Sequence, residues 1–159
     1  MSEGVMTLDP RHRVAAAAAS LRAELDGVAD LSLWSMSPAE AGATLTELTR
    51  VSAQVAELTM RVARHAESVD VGLDQGATST TNWWAHATKM TRADAHRLTR
   101  LAGRLEAHPS VRAALAAGEL LTDQASVITE ALDALPADLV DADVAARAEA
   151  IPAGRSPAP

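Results

Sequence analysis

Thr78-Ser79-Thr80-Thr81-Asn82-Trp83-Trp84 opens a stretch that passes through Lys89-Met90-Thr91 and reaches Gly118-Glu119-Leu120-Leu121-Thr122-Asp123-Gln124-Ala125; its punctuation decides the fold. Thr78 or Ser79 is placed to cap a short helix carrying Trp83 and Trp84. Lys89-Met90 makes the turn. Thr91-Arg92-Ala93-Asp94 then starts a second helix in the manner of a capping box, where a hydroxyl and an acid three residues apart satisfy the free backbone N–H groups of a helix start. Ala95, Leu98, Leu101, Ala102 and Leu105 follow at the spacing of one helical face. His108-Pro109 stops that helix, because the residue before proline is pushed out of the helical region. Pro109 begins another helix through Val111 and Leu115, and Gly118 ends it in the left-handed position that glycine adopts without penalty. Thr122 is the expected cap of the next helix, with Val127, Ile128, Ala131, Leu132 and Leu135 turned inward.

Upstream, Ser37-Pro38-Ala39-Glu40 is the clearest helix start in the chain, a capping box with proline at the first helical position. Ala41, Leu45, Leu48, Val55, Leu58, Val62, Ala66 and Val69 recur from there, so the spacing predicts one long helix from Pro38 to about Val69. Glu47 with Arg50 and Glu57 with Arg61 are expected on its outer face. A stripe of that length has to lie against something. Helices of the same chain are the first expectation, and a homo-oligomer seam along this helix the second. Asp70 to Gly76 breaks the pattern with two glycines. Asp9-Pro10 starts a first helix whose face is Val14, Ala17, Ala18, Leu21, Leu25 and Val28, ended by Gly27 and Asp30. Trp34 is expected to pin the loop that follows. Beyond Pro136, residues Ala137 to Ala150 read as a last, acidic helix. The expected organisation is a disordered start over residues 1–8, one helical domain over 9–150 and a Pro/Ala/Gly-rich disordered tail over 151–159. No alternating strand pattern is present. The fold class read from the sequence is all-α, six to seven helices, with the long helix as its backbone and a helix-turn-helix-like unit after Ala77.

Composition narrows the functions. The chain has 159 residues, 48% of them apolar, but neither Phe nor Tyr, so Leu, Val, Ile, Met and Ala must fill the core. Cysteine is absent, which removes disulfides, thiolate metal sites and cysteine nucleophiles. No run approaches the roughly 18 apolar residues of a membrane span, and the N-terminus does not read as a signal peptide. A cytoplasmic protein is expected, with no membrane partner. The histidines show no H-E-x-x-H spacing, Asp138, Asp141 and Asp143 lack the order of a calcium loop, and no phosphate-binding glycine loop or G-x-S-x-G elbow occurs. Neither a cofactor, nor a metal, nor a small-molecule substrate is expected, and neither is catalysis by this chain.

The net charge of −7 gives no general affinity for phosphate backbones. One segment departs from it. From Lys89 to Arg112 six basic residues stand against Asp94 and Glu106. Arg97, Arg100 and Arg104 share a helical face suited to tracking phosphates. Arg92 and His96 lie near the helix start, where recognition helices meet base edges. Lys89, Arg92, His96, Arg97, Arg100 and Arg104 are therefore the candidate DNA-contacting residues. The same arginines have an alternative use: Ala113 to Ala150 holds eight acidic residues and one arginine, and a basic face can simply pair with an acidic neighbour.

The order of motifs also carries a family resemblance. Ser79 to Trp84, Ala95-His96-Arg97-Leu98-Thr99-Arg100-Leu101-Ala102, Ala114-Leu115-Ala116-Ala117-Gly118-Glu119-Leu120, Gln124-Ala125 and Ala131-Leu132-Asp133-Ala134-Leu135-Pro136 follow one another as in a known pattern. Over roughly Pro38 to Ala150 the chain resembles the actinobacterial domain of unknown function 222 family, also called the 13E12 repeat family. Members of that family commonly carry this helical region ahead of an HNH endonuclease domain. The departure is as informative as the match. An HNH site needs histidines and acidic or amide groups around a divalent metal, and no histidine follows His108. The resemblance thus implies a helical, non-catalytic accessory module without its nuclease, a truncated relative. The expected roles are DNA contact, protein interaction or oligomerisation, or those of a gene remnant with no activity of its own.

Overall fold

The computed structural model describes residues 12–135. The helix start expected at Asp9-Pro10, the acidic helix expected over residues 137–150 and both expected disordered ends lie outside them. The protein is all-α, with seven helices and no strand among the described residues. It divides after Ala41 into two compact units.

In the first unit, α1 (Arg13–Val28) is capped by His12, whose Nδ1 accepts from the Val14 N–H at 3.2 Å. Its alanine run favours helix by intrinsic propensity. None of its residues is buried, and the expected apolar face stays open at Leu25 and Val28. Gly27 sits inside the last turn rather than past it. Trp34 does not pin its loop. It is 96% exposed, and Leu31 and Leu33 beside it are also open, so the indole has no apolar surface to lie on.

The helix α2 (Pro38–Ser68) starts just before the division and runs into the second unit. The capping box forms as expected: Glu40 Oε2 accepts from the Ser37 N–H at 2.8 Å and from its hydroxyl at 2.7 Å, while Ser37 Oγ accepts from the Glu40 N–H at 3.2 Å. The two bonds that Glu40 accepts hold its carboxyl below the ordinary pKa, the hydroxyl contributing more than the backbone N–H. Where the sequence shows only a break, the chain makes a single turn, α3 (Val71–Asp74). Gly72 is required there. A Cβ would lie 2.2 Å from the Ser79 carbonyl carbon, so only a bare backbone lets α3 rest on the start of α4 (Thr80–Thr88).

Three helices complete the unit: α5 (Arg92–Ala107), α6 (Pro109–Ala116) and α7 (Thr122–Asp133). Gly118, with φ +73°, closes α6 in a Schellman motif: its N–H donates to Leu115 O and the Glu119 N–H to Ala114 O. Thr122 is not the cap of α7 but its first residue. Leu121 holds the cap position, and its N–H is satisfied by Gln124 Oε1 at 2.9 Å.

The core gathers around α5. Leu101, Ala102 and Leu105 pack with Val111 and Leu115 of α6, Leu120 and Ala125 before and on α7, and Ala53 and Met60 of α2. Each leucine so buried contributes about 1.5–3 kcal/mol. Two expectations about facing fail. On α7, Ile128 and Leu132 are half-buried as expected, but Val127 and Ala131, and Leu135 just past its end, are exposed. Thr129 is fully buried instead, its hydroxyl donating to Ala125 O at 2.9 Å, so burial leaves no donor unmet. On α2 the buried residues are Ala53, Glu57 and Met60, which leaves Leu45 68%, Leu48 53%, Val55 37%, Val62 46% and Val69 54% exposed. Glu57 is only 5% exposed and does not lie on the outer face. Small Ala53 and Ala56 let α2 approach the core closely, which bulky Leu and Val at those places would prevent. The long helix therefore serves the core with one face, and α5 is its centre.

Candidate nucleic-acid interface

Local chemistry builds the α4–turn–α5 unit. Ser79 Oγ accepts from the Asn82 N–H at 3.1 Å and starts α4. Lys89 ends it in the left-handed region, at φ 59° and ψ 20°, a conformation that glycine usually supplies in such a turn. Thr91 Oγ1 accepts from the Asp94 N–H at 3.0 Å and so caps α5 as expected, while its hydroxyl donates to Asp94 Oδ2 at 2.7 Å. The acid bonds to the capping hydroxyl rather than to the Thr91 N–H, so the box is only half formed. Ala85 and Ala95, both buried, leave room for the two helices to approach. The Thr81 and Thr99 hydroxyls meet at 3.2 Å across them. Trp83 and Trp84 are both half-buried.

The six candidate residues do not form one equivalent set. Lys89, Arg92, His96 and Arg100 are exposed, and their side chains make no ion pair or hydrogen bond among the described residues. Arg97 is held by Asp123 at 3.3 Å and Asp94 at 3.7 Å. Arg104 is held by Glu130 at 2.6 Å and Asp133 at 3.1 Å, and its side chain is only 25% exposed. Asp133 also meets His108 Nε2 at 2.8 Å. The acidic α7 thus clamps the far part of the arginine stripe, and a groove of about 440 Å³ lies between Arg97, Arg100 and Arg104 on one side and Ser126 and Glu130 on the other. Among the described residues, the turn and the near part of α5 keep three cations and one histidine without a side-chain partner.

A second charged cluster, which sequence spacing does not reveal, lies between α2 and α5–α6. Arg64 bridges Glu67 at 2.6 Å and Glu106 at 2.9 Å, which together push its guanidinium pKa up, Glu106 more than Glu67. Its Nε is buried with no partner among the described residues. Glu57 pairs with Arg61 at 3.3 Å, and Arg112 borders the same cleft of about 280 Å³. Opposite charges largely consume one another there, so the cluster ties α2 to α5. Only the i,i+4 spacing of Glu57 and Arg61 hinted at it; the bridge to Glu106 spans 42 residues.

Among the described residues no group of histidines and acids is placed to hold a metal ion, and no helix is long and apolar enough to cross a membrane. No protein-family model, curated protein or solved structure matches this chain.

Proposed function

We propose that this chain is a non-catalytic helical module that contacts duplex DNA in the cytoplasm through α4 and α5, an accessory part of an HNH-endonuclease-like protein of the kind its motifs resemble. One observation carries the reading: Lys89, Arg92, His96 and Arg100 stand exposed, with no side-chain partner among the described residues, at the turn and on α5, where a recognition helix meets DNA. Arg92 and His96 face base edges, while Lys89 and Arg100 reach phosphates. Arg97 and Arg104 act as struts to α7. The test is fluorescence anisotropy of a labelled duplex at about 50 and 200 mM salt. With three phosphates neutralised, affinity falls roughly 40-fold between those concentrations. Absence of binding at the lower salt would sink the proposal.

A second reading makes the protein an oligomerisation module through α2. The exposed apolar stripe from Leu45 to Val69 favours it.

A further inference from the structure

We infer that α2 pairs antiparallel with α2 of a second copy of this chain, about a two-fold axis at Val55. This rests on the reading of α2 as an oligomerisation surface and gives it a partner and an orientation. Leu45, Leu48, Ser52, Val55, Thr59, Val62, Ala66 and Val69 alternate at steps of three and four, with Leu48, Val55, Val62 and Val69 seven apart. A seven-residue repeat drifts off the face of a straight helix and stays in register only against a helix supercoiled with it. The opposite face of α2 is already spent on the core at Ala53, Glu57 and Met60.

The polar atoms within the stripe are ready for burial. Ser52 and Thr59 donate their hydroxyls to Leu48 O and Val55 O, each at 2.8 Å, and neighbouring Thr49 donates to Leu45 O at 2.8 Å. Covering them strands no donor.

The orientation follows from the order of side chains. Reversed about Val55, Leu48 falls opposite Val62 of the second copy, while Leu45 and Ser52 fall within one residue, about 1.5 Å of helical rise, of Ala66 and Thr59. Apolar residues meet apolar ones, and the two small hydroxyl residues meet near the middle, where the helices cross most closely. A surface complementary to its own reverse makes a closed two-fold interface. Charge agrees. Glu47 and Arg61 are exposed on the same rim, two repeats apart. Antiparallel pairing brings Glu47 within two residues, about 3 Å of helical rise, of Arg61 of the second copy, whereas in-register parallel pairing sets each charge level with its own kind.

The chain has no cysteine, so single thiols report cleanly. Val55→Cys, Leu48→Cys and Val62→Cys replace exposed side chains, and circular dichroism checks that each variant stays helical. Under mild oxidation Val55→Cys is expected to form a disulfide-linked dimer, doubling its mass, since the axis brings its two copies within disulfide reach. Leu48→Cys alone remains monomeric on a denaturing gel, while a mixture of Leu48→Cys with Val62→Cys yields the cross-linked heterodimer. If Val55→Cys and Leu48→Cys each link to themselves, the pairing is parallel; the orientation is then wrong and the oligomerisation reading survives. If Val55→Cys does not link and the native chain sediments as a monomer at every concentration, both are overturned.

Discussion

Both α2 and α5 are amphipathic helices with conspicuous apolar stripes, and the protein uses them in opposite ways. Along α5 the stripe is the core: Ala95, Leu101, Ala102 and Leu105 are buried. Along α2 most of the stripe faces out, with Leu58 and Ala66 half-buried, and the buried face is Ala53, Glu57 and Met60. The periodicity is equally clear in both. What differs is the company: α5 has α4, α6 and α7 packed around it, while residues 41–50 of α2 are exposed throughout. A stripe marks a helix, but which face is buried is decided by its neighbours.

The sharpest break of that comparison is a pair of truncations. Leu101→Ala is expected to lose about 2–5 kcal/mol, the cost of a core cavity. Leu48→Ala in dilute protein should change stability by less than about 0.5 kcal/mol. Urea unfolding of both variants measures the contrast, and equal losses would mean that α2's stripe is buried after all.

Next in size is Gly118→Ala, which tests how α6 is seated on α2. Its φ of +73° strains any L side chain, by about 1–2 kcal/mol. The added Cβ would also sit 2.9 Å from Arg50 Cβ. A lowered melting temperature with unchanged helix content is the expected result.

Smaller still is the effect of releasing the clamp on α5. Asp123→Asn combined with Glu130→Gln should cost only about 0.2–1 kcal/mol per exposed pair. The same change removes one of the two acidic partners of Arg97 and of Arg104 and loosens both, so DNA affinity should rise and its salt dependence steepen, which the anisotropy titration reads directly.

The smallest effect concerns the start of α2. Because the folded carboxyl of Glu40 is held below its ordinary value, its contribution to stability is fully present above the unfolded pKa. That contribution is lost as pH falls through the folded one. The first turn of α2 should therefore fray in acid. Glu40→Gln should flatten that part of the pH profile of helix content.

Most of the fold was legible because helix punctuation is local. Ser37 with Glu40, Ser79 before Asn82, Thr91 with Asp94, Pro109 and Gly118 each act within about five residues, so order and spacing reveal them. The misreadings share the opposite property. Glu57 turns inward, Trp34 finds no surface, and Leu121 starts α7 without a capping side chain, all for reasons of packing rather than pattern. The candidate interface divides along the same line. Its turn and its six basic residues could be named from the sequence. Their partition could not, because the bonds from Arg97 to Asp123 and from Arg104 to Glu130 each span 26 residues.

That partition is the central claim, and the salt dependence of duplex binding tests it most directly. Titrations of the native chain, of Arg92→Ala with Arg100→Ala, and of Arg97→Ala would be compared over a range of salt concentrations. If the proposed interface holds, the double variant should lower the log–log salt slope by about two, one for each cation removed, while Arg97→Ala leaves it unchanged. An unchanged slope in the double variant, or an equal fall per residue in Arg97→Ala, would contradict the account.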